Sequence, residues 1–326
     1  MSAVAARSGT DHDGASPSAP AHRRRRRGKG RQYIAPLLLI SPSLVVLAVF
    51  VYGLIFVNVQ TSMTDANDAA IATGQEESSF VGLSNYVALL TDADFQHSLV
   101  NMFLYTFVFL GGALLVGFVW AWLLDKPLRG EGLFRSVYLF PMAVSFVASG
   151  VVWRWLLNSN TGDSASGLNR LFEMTGFGFL QNDWWSDPRW GIAAIALPAV
   201  WQLAGYVMAL FLAGFRGIPE ELREAGRMDG ASEWKLYRHV IFPQLSPVLL
   251  SALIIIGHMS LKVFDLILSI ADSSNYSTKV PAVDVLQYKS SFEYADAAAV
   301  GTILLLLVAL LIIPYLVRTA RAEKTR

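Results

Sequence analysis

Six stretches of about 20 mostly apolar residues recur along this 326-residue chain, and that recurrence constrains its architecture more than anything else. A helix of that length spans the hydrocarbon core of a bilayer. Within it, every backbone polar group is bonded inside the helix, as an apolar medium demands. The sequence predicts spans at about 36–59, 98–124, 134–157, 190–214, 247–271 and 297–317. The last, "AAAVGTILLLLVALLIIPYLV", has no charge at all. Composition agrees: 54% of residues are hydrophobic and 16% charged, where a soluble domain carries about a quarter charged. A transmembrane β-barrel needs short alternating strands, and none is evident. The expected fold class is therefore an all-α membrane protein with six transmembrane helices over residues 33–317.

The charges fix an expected orientation. Cytoplasmic loops carry an excess of Lys and Arg. With the N-terminus inside, twenty of the 26 Lys and Arg residues fall on the cytoplasmic side and four outside; Arg154 and Lys262 lie in or at the ends of spans. N- and C-termini are thus expected to be cytoplasmic. Residues 1–32, with "HRRRRRGKGR" at 22–31, read as a disordered basic arm facing anionic lipid and not nucleic acid, because they abut a span. Residues 318–326 form a short cytoplasmic tail. On the outside, "FVGLSNYVALL" predicts a short surface helix, and "QNDWWSDPRW" offers three tryptophans as interfacial anchors or a sugar-stacking platform. The chain has no cysteine, which excludes disulfides, thiolate metal ligands and a thiol nucleophile. The five histidines, at 12, 22, 97, 239 and 258, show no metal-ligand spacing.

One segment breaks the apolar pattern. "EELREAGRMDGASEWKLYRHVIFPQLSP", residues 220–247, sits between the fourth and fifth spans. Pro219 suits a helix start, and Glu220 and Glu221 favour the positive end of the helix dipole. The helix is expected to run to about Asp229, with Gly230 in the left-handed C′ position. Ser232 is a candidate N-cap for a second helix carrying Trp234, Tyr237 and Ile241 on one side, ended by Pro243 and Pro247. The segment 217–246 is therefore a helix–turn–helix elbow on the cytoplasmic face. Such an elbow rests on lipid or docks into a groove of a soluble partner.

These residues resemble the EAA motif of ATP-binding-cassette importer permeases. Glu224, Ala225, Asp229, Gly230, Ala231, Ile241 and Pro243 match it; Gly226 stands where a second alanine is usual, and Phe242 where a leucine is usual. "FVGLSNYVALLTDADFQHSLVNMFLYT", "FRSVYLFPMAVSFVASGVVWRWLL" and "LKVFD" look like the carbohydrate branch, of maltose and α-glucoside type. The glycine-rich segment usual after the fifth span is absent, with "SIADSSNYSTKV" in its place. The resemblance implies a membrane subunit of a binding-protein-dependent sugar importer in a bacterial cell membrane. Its partners would be a second, different permease subunit, a dimer of a separate ATPase, and an extracytoplasmic solute-binding protein. It implies no enzyme activity and no cofactor on this chain: ATP and Mg would sit on the ATPase, and this sequence has no phosphate-binding loop. Glu224, Ala225, Gly226, Asp229, Gly230, Ala231, Ile241 and Pro243 would form the ATPase-coupling elbow, with Glu224 paired to a basic residue of the ATPase.

Polar groups inside spans mark either a solute path or contacts between helices. His258, Lys262, Asp265 and Ser269 fall on one stripe if the fifth span is a continuous helix, with Lys262 and Asp265 near enough to pair. Asn101, Tyr105, Ser145, Ser149, Gln202 and Tyr206 complete the candidate pathway or gate. Lys262 lies about 24 Å along the fifth span, near its outer end. Rival readings are a permease for a non-sugar solute such as glycerol phosphate, an ion-coupled secondary transporter, and a membrane enzyme acting on lipid-linked sugars. The ion-coupled reading does not account for the elbow, and the enzyme reading finds neither metal-ligand histidine spacing nor an acid–base pair among outer carboxylates such as Asp183 and Asp187.

Overall fold

The computed structural model describes residues 31–72, 74–126 and 128–324. The basic arm as far as residue 30 and the last two residues of the tail lie outside the described residues. Two compact units divide at Leu54. The described part of the first is α1 (Arg31–Leu47) followed by a π turn over Ala48–Gly53. Helix therefore already holds Arg31 and Gln32. From Leu39 to Leu54 the apolar side chains of this unit are exposed, as lipid-facing ones are, with Leu39 at 85%.

The second unit begins at Ile55. The helix continues as α2 (Leu54–Thr61), making Leu39–Thr61 long and apolar enough to cross a membrane. After α3 (Ala69–Ala72) comes α4 (Ser84–Thr91), the surface helix that "FVGLSNYVALL" predicts. The second span, α5 (Ala93–Leu124), starts five residues before its expected position, because Asp92 caps it by accepting from Phe95 N at 3.1 Å. α9 (Gly191–Arg216) is the fourth span and α15 (Tyr294–Lys324) carries the sixth. Among the described residues, five helices have span length, or up to six if one bent pair counts as a single span.

α5 and α9 form the core pair. Asn101, Tyr105, Phe109, Ala113, Gly117 and Ala121 are buried at a four-residue repeat on one face of α5. A Cβ at Gly117 would lie 2.7 Å from the Val207 side chain and 2.8 Å from the Ala204 carbonyl, so glycine sets how closely the helices approach. Close approach through small residues is how spans associate where lipid is as apolar as the side chains.

Two expected spans are not single helices. The third, expected unbroken over 134–157, is α6 (Glu131–Leu139), a 3₁₀ turn at Phe140–Ala143, and α7 (Phe146–Leu156), bent by 96°. Pro141 lacks a donor and crowds the preceding turn. Ser145 restarts the helix by accepting from Ala148 N at 3.1 Å, and Gln202 of α9 donates to the Val144 carbonyl at the break. Next come α8 (Gly167–Met174) in the loop between α7 and α9, α10 (Glu220–Met228) and α11 (Glu233–Leu236). The fifth span, expected as one helix over 247–271, is α12 (Phe242–Ser260), a turn, and α13 (Asp265–Ile270), followed by α14 (Pro281–Ser290).

Pro243 and Pro247 do not end the second elbow helix, contrary to expectation. A π turn at Tyr237–Ile241 joins α11 to α12, with Phe242 N bonded to the Tyr237 carbonyl five residues back. That shift in register accommodates the proline that follows, whose ring nitrogen cannot donate. The result is one helical run, Glu233–Ser260.

Candidate functional site

At the elbow, α10 begins after Pro219 with Glu220 and Glu221 in its first turn. It ends in a complete glycine C-cap. Gly230 has φ +75°, its N–H bonds to the Arg227 carbonyl (3.0 Å), and Ala231 N–H bonds to the Gly226 carbonyl (3.1 Å). Ser232 then caps α11, accepting from Lys235 N at 3.5 Å. Gly226 has a packing role: a Cβ there would stand 2.6 Å from Leu236 Cδ1, so the glycine lets α10 lie close on α11. Of the motif residues, Ile241 is buried, while Glu224, Ala225, Asp229, Gly230 and Pro243 are exposed. Glu224 forms no ion pair among the described residues, and Met228 (88%), one turn further along α10, and Trp234 (67%), on α11, are exposed as well. Trp234 and Tyr237 line one cavity, but exposure falls along the helix, with Trp234 exposed, Tyr237 half-buried and Ile241 buried.

The elbow is rooted by a residue the sequence reading passed over. Arg223 donates to Asp125 at 2.8 Å, at the end of α5, and to the Phe215 carbonyl at 2.9 Å, at the end of α9. Both side chains of the pair are nearly buried. Burial opposes the charge on Arg223, but the hydrogen bond and charge of Asp125, with Glu220, more than offset it and raise its pKa. Arg216 pairs with Glu131 nearby, joining α9 to α6. Asp125 lies 98 positions from Arg223, so no local pattern in the sequence links them.

The second feature is a cavity of about 210 Å³ between α5, α9 and the fifth-span break. Of the candidate pathway residues, Tyr105, His258, Lys262 and Asp265 line it, with Phe109 and Phe146 among its aromatic walls. The stripe on which they were expected is not continuous helix. Lys262 lies in the turn after α12, and Asp265 opens α13. No ion pair joins the two: both are exposed and face the cavity separately.

The other candidates have structural contacts. Asn101 donates to the Lys279 carbonyl at 2.9 Å, tying α5 to the loop between α13 and α14. Ser145 is a helix cap, Gln202 holds the Val144 carbonyl, and Tyr206 is half-buried against the core. Ser149 is buried on α7, one residue before Gly150, where α13 presses so close that any Cβ would overlap Ser269. In the loop between α7 and α9, Trp184 donates to the buried Asn169 at 2.8 Å and only Trp190 of the three tryptophans is exposed.

Comparison with known proteins agrees with this architecture. A "probable ABC transporter permease protein" of Pyrococcus horikoshii is 36% identical over 303 residues, 92% of this chain and 99% of its own length. The xylose/arabinose import permease protein of Haloferax volcanii is 31% identical over 275 residues, 83% of this chain and 84% of its own. A bacterial transporter structure described as importing the acidic polysaccharide alginate shares the fold, with TM-score 0.70 at 17% identity, covering 90% of this chain and 96% of that one. Residues 113–322, which include the last third of α5, all of α9, the elbow and the fifth-span wall of the cavity, match a family model, and this multi-pass membrane protein belongs to the family of binding-protein-dependent transport system inner membrane components.

Proposed function

We propose that this chain is one of two different membrane subunits of an ATP-driven importer, translocating a sugar handed over by an extracytoplasmic binding protein. The observation that carries the reading is the elbow: an exposed helix with an unpaired Glu224, closed by a left-handed Gly230 and rooted through Arg223 on the ends of α5 and α9. A surface helix held this firmly at its base and left bare on its outer side fits a docking element better than a lipid-resting one. The distribution of Lys and Arg supports cytoplasmic termini and a cytoplasmic elbow. In this reading the elbow enters a cleft of a separate ATPase dimer, which binds ATP and Mg, and Glu224 meets a basic residue there. ATP acts through the different affinities of two conformations. Sugar as the solute is supported by the import role of the Haloferax relative. The solute passes the cavity of Tyr105, His258, Lys262 and Asp265, framed by Asn101, Ser145, Gln202 and Tyr206.

The test is gentle detergent purification of the tagged full chain from its own host, with mass spectrometry of what accompanies it. An ATPase and a second permease in comparable amounts are expected. Isolation of the chain alone, in cells where it still supports uptake, would overturn the importer reading. In parallel, Gly230→Pro is expected to abolish uptake while membrane insertion persists, because proline cannot adopt the positive φ found there.

A further inference from the structure

Two apolar cavities lie along α5 on the side facing α12. One, of about 250 Å³, is lined by Leu114, Leu115, Phe211, Leu245 and Leu249. The other, of about 360 Å³, is lined by Trp122, Lys126, Glu233, Trp234 and Tyr237. Phe118 and Phe242 belong to both, stacked with ring centroids 5.4 Å apart, so the two form one groove. Its rim is open: Leu115, Leu249 and Phe242 are exposed.

The groove runs from Leu114 to Lys126, two residues beyond the end of α5, a length of about 18 Å at helical rise. That is close to one leaflet, half of a hydrocarbon core about 30 Å thick. Its walls are apolar until the last turn of α5. There the Lys126 ammonium lies 4.4 Å from the centre of the Trp122 ring, and no carboxylate among the described residues pairs with it. Glu233 at the same mouth is engaged by Arg227 at 3.2 Å. The mouth therefore offers a cation that rests on one indole and has no carboxylate partner, with a second indole, Trp234, lining the same cavity, an aromatic-and-basic composition found at a membrane interface. A helix is about 10–12 Å across, too thick to enter cavities of these volumes, whereas an alkyl chain is thin enough.

We propose that this groove binds a single anionic phospholipid, one acyl chain lying along Phe118 and its phosphate on Lys126. The site adjoins the elbow through Glu233 and Trp234, but its existence does not depend on what the elbow docks to.

The experiment is native mass spectrometry of the full chain, released from nanodiscs of equal phosphatidylglycerol and phosphatidylcholine. One retained phosphatidylglycerol per chain is expected, in preference over phosphatidylcholine. Lys126→Gln should weaken that preference about five-fold, the effect of one basic residue near an anionic surface, and Lys126→Arg should restore it. Leu249→Trp, on the rim, should displace both lipids while the chain remains folded. Equal retention of the two lipids by the unaltered chain, or a preference untouched by Lys126→Gln, overturns the proposal. So does efficient crosslinking of Leu249→Cys to another protein chain in native membranes, since the groove would then be covered by protein.

Discussion

The polypeptide changes direction at Gly230 and again between Leu261 and Phe264, and the two turns are made differently. The first is written locally. Gly230 supplies the left-handed backbone, Asp229 and Ser232 flank it, and two backbone hydrogen bonds close it. The second has no glycine or proline; "LKVF" continues an apolar run that a helix could occupy throughout. It breaks because α13 is drawn onto α7, where Gly150 admits Ser269, and because Phe264 takes up a non-helical backbone (φ −143°, ψ −64°). A locally encoded turn survives changes in its surroundings. A turn imposed by packing depends on a single close contact far away in the chain.

Several substitutions would sharpen or break that contrast, each followed by thermal unfolding of the detergent-solubilised full chain. The largest effect is expected at the root of the elbow. Arg223→Ala leaves Asp125 nearly buried and unpaired and should cost about 3–5 kcal/mol, with Arg223→Lys recovering part of it. Gly150→Leu, which forces α7 and α13 apart, should cost about 1–3 kcal/mol and allow the fifth span to straighten, seen as increased spin-label distances between the two helices. A loss no larger than for an exposed surface change would remove the packing explanation of the second turn. Gly230→Ala should cost about 1–2 kcal/mol, the strain of a Cβ in the left-handed region, without moving the turn. At Gly226→Ala, gained helix propensity opposes the clash with the flexible end of Leu236, so the net change should stay under about 1 kcal/mol either way.

The end of the molecule opposite the elbow supplies a pH test. Asp284 is buried on α14, 3.4 Å from Lys279. Burial pushes its pKa up, against the pull of Lys279. The folded state thus holds this proton to higher pH than the unfolded chain does. The contribution to stability is fully present below the ordinary carboxylate range and is lost as pH rises through the raised value. Asp284→Asn should flatten that slope. An unchanged profile would mean that another group carries it.

The same contrast explains what was legible in the sequence. The apolar runs, the cap at Ser232 and the glycine at 230 are local signals, and spans and elbow follow from them. Pro141 was visible too, but whether a proline breaks a helix depends on partners elsewhere. At Pro141 the chain breaks and Gln202 meets the Val144 carbonyl; at Pro243 a π turn absorbs the fault and the helix continues. The candidate pathway divided for the same reason. Tyr105, His258, Lys262 and Asp265 share a cavity, while Asn101 and Gln202, equally polar and equally placed within spans, bond to backbone carbonyls. Arg223 was indistinguishable from any surface arginine until α5 brought Asp125 beside it.

The unbroken run from Glu233 to Ser260 has a mechanical consequence. Twenty-eight residues make a rod about 40 Å long with one end in the elbow and the other, at His258, in the cavity wall. Pivoted at its elbow end, such a lever arm swings its far tip by about 7 Å for a tilt of about 10°. The π turn at Tyr237–Ile241, near the elbow end, is where the rod departs from regular geometry, so compliance placed there would leave the long arm beyond it stiff.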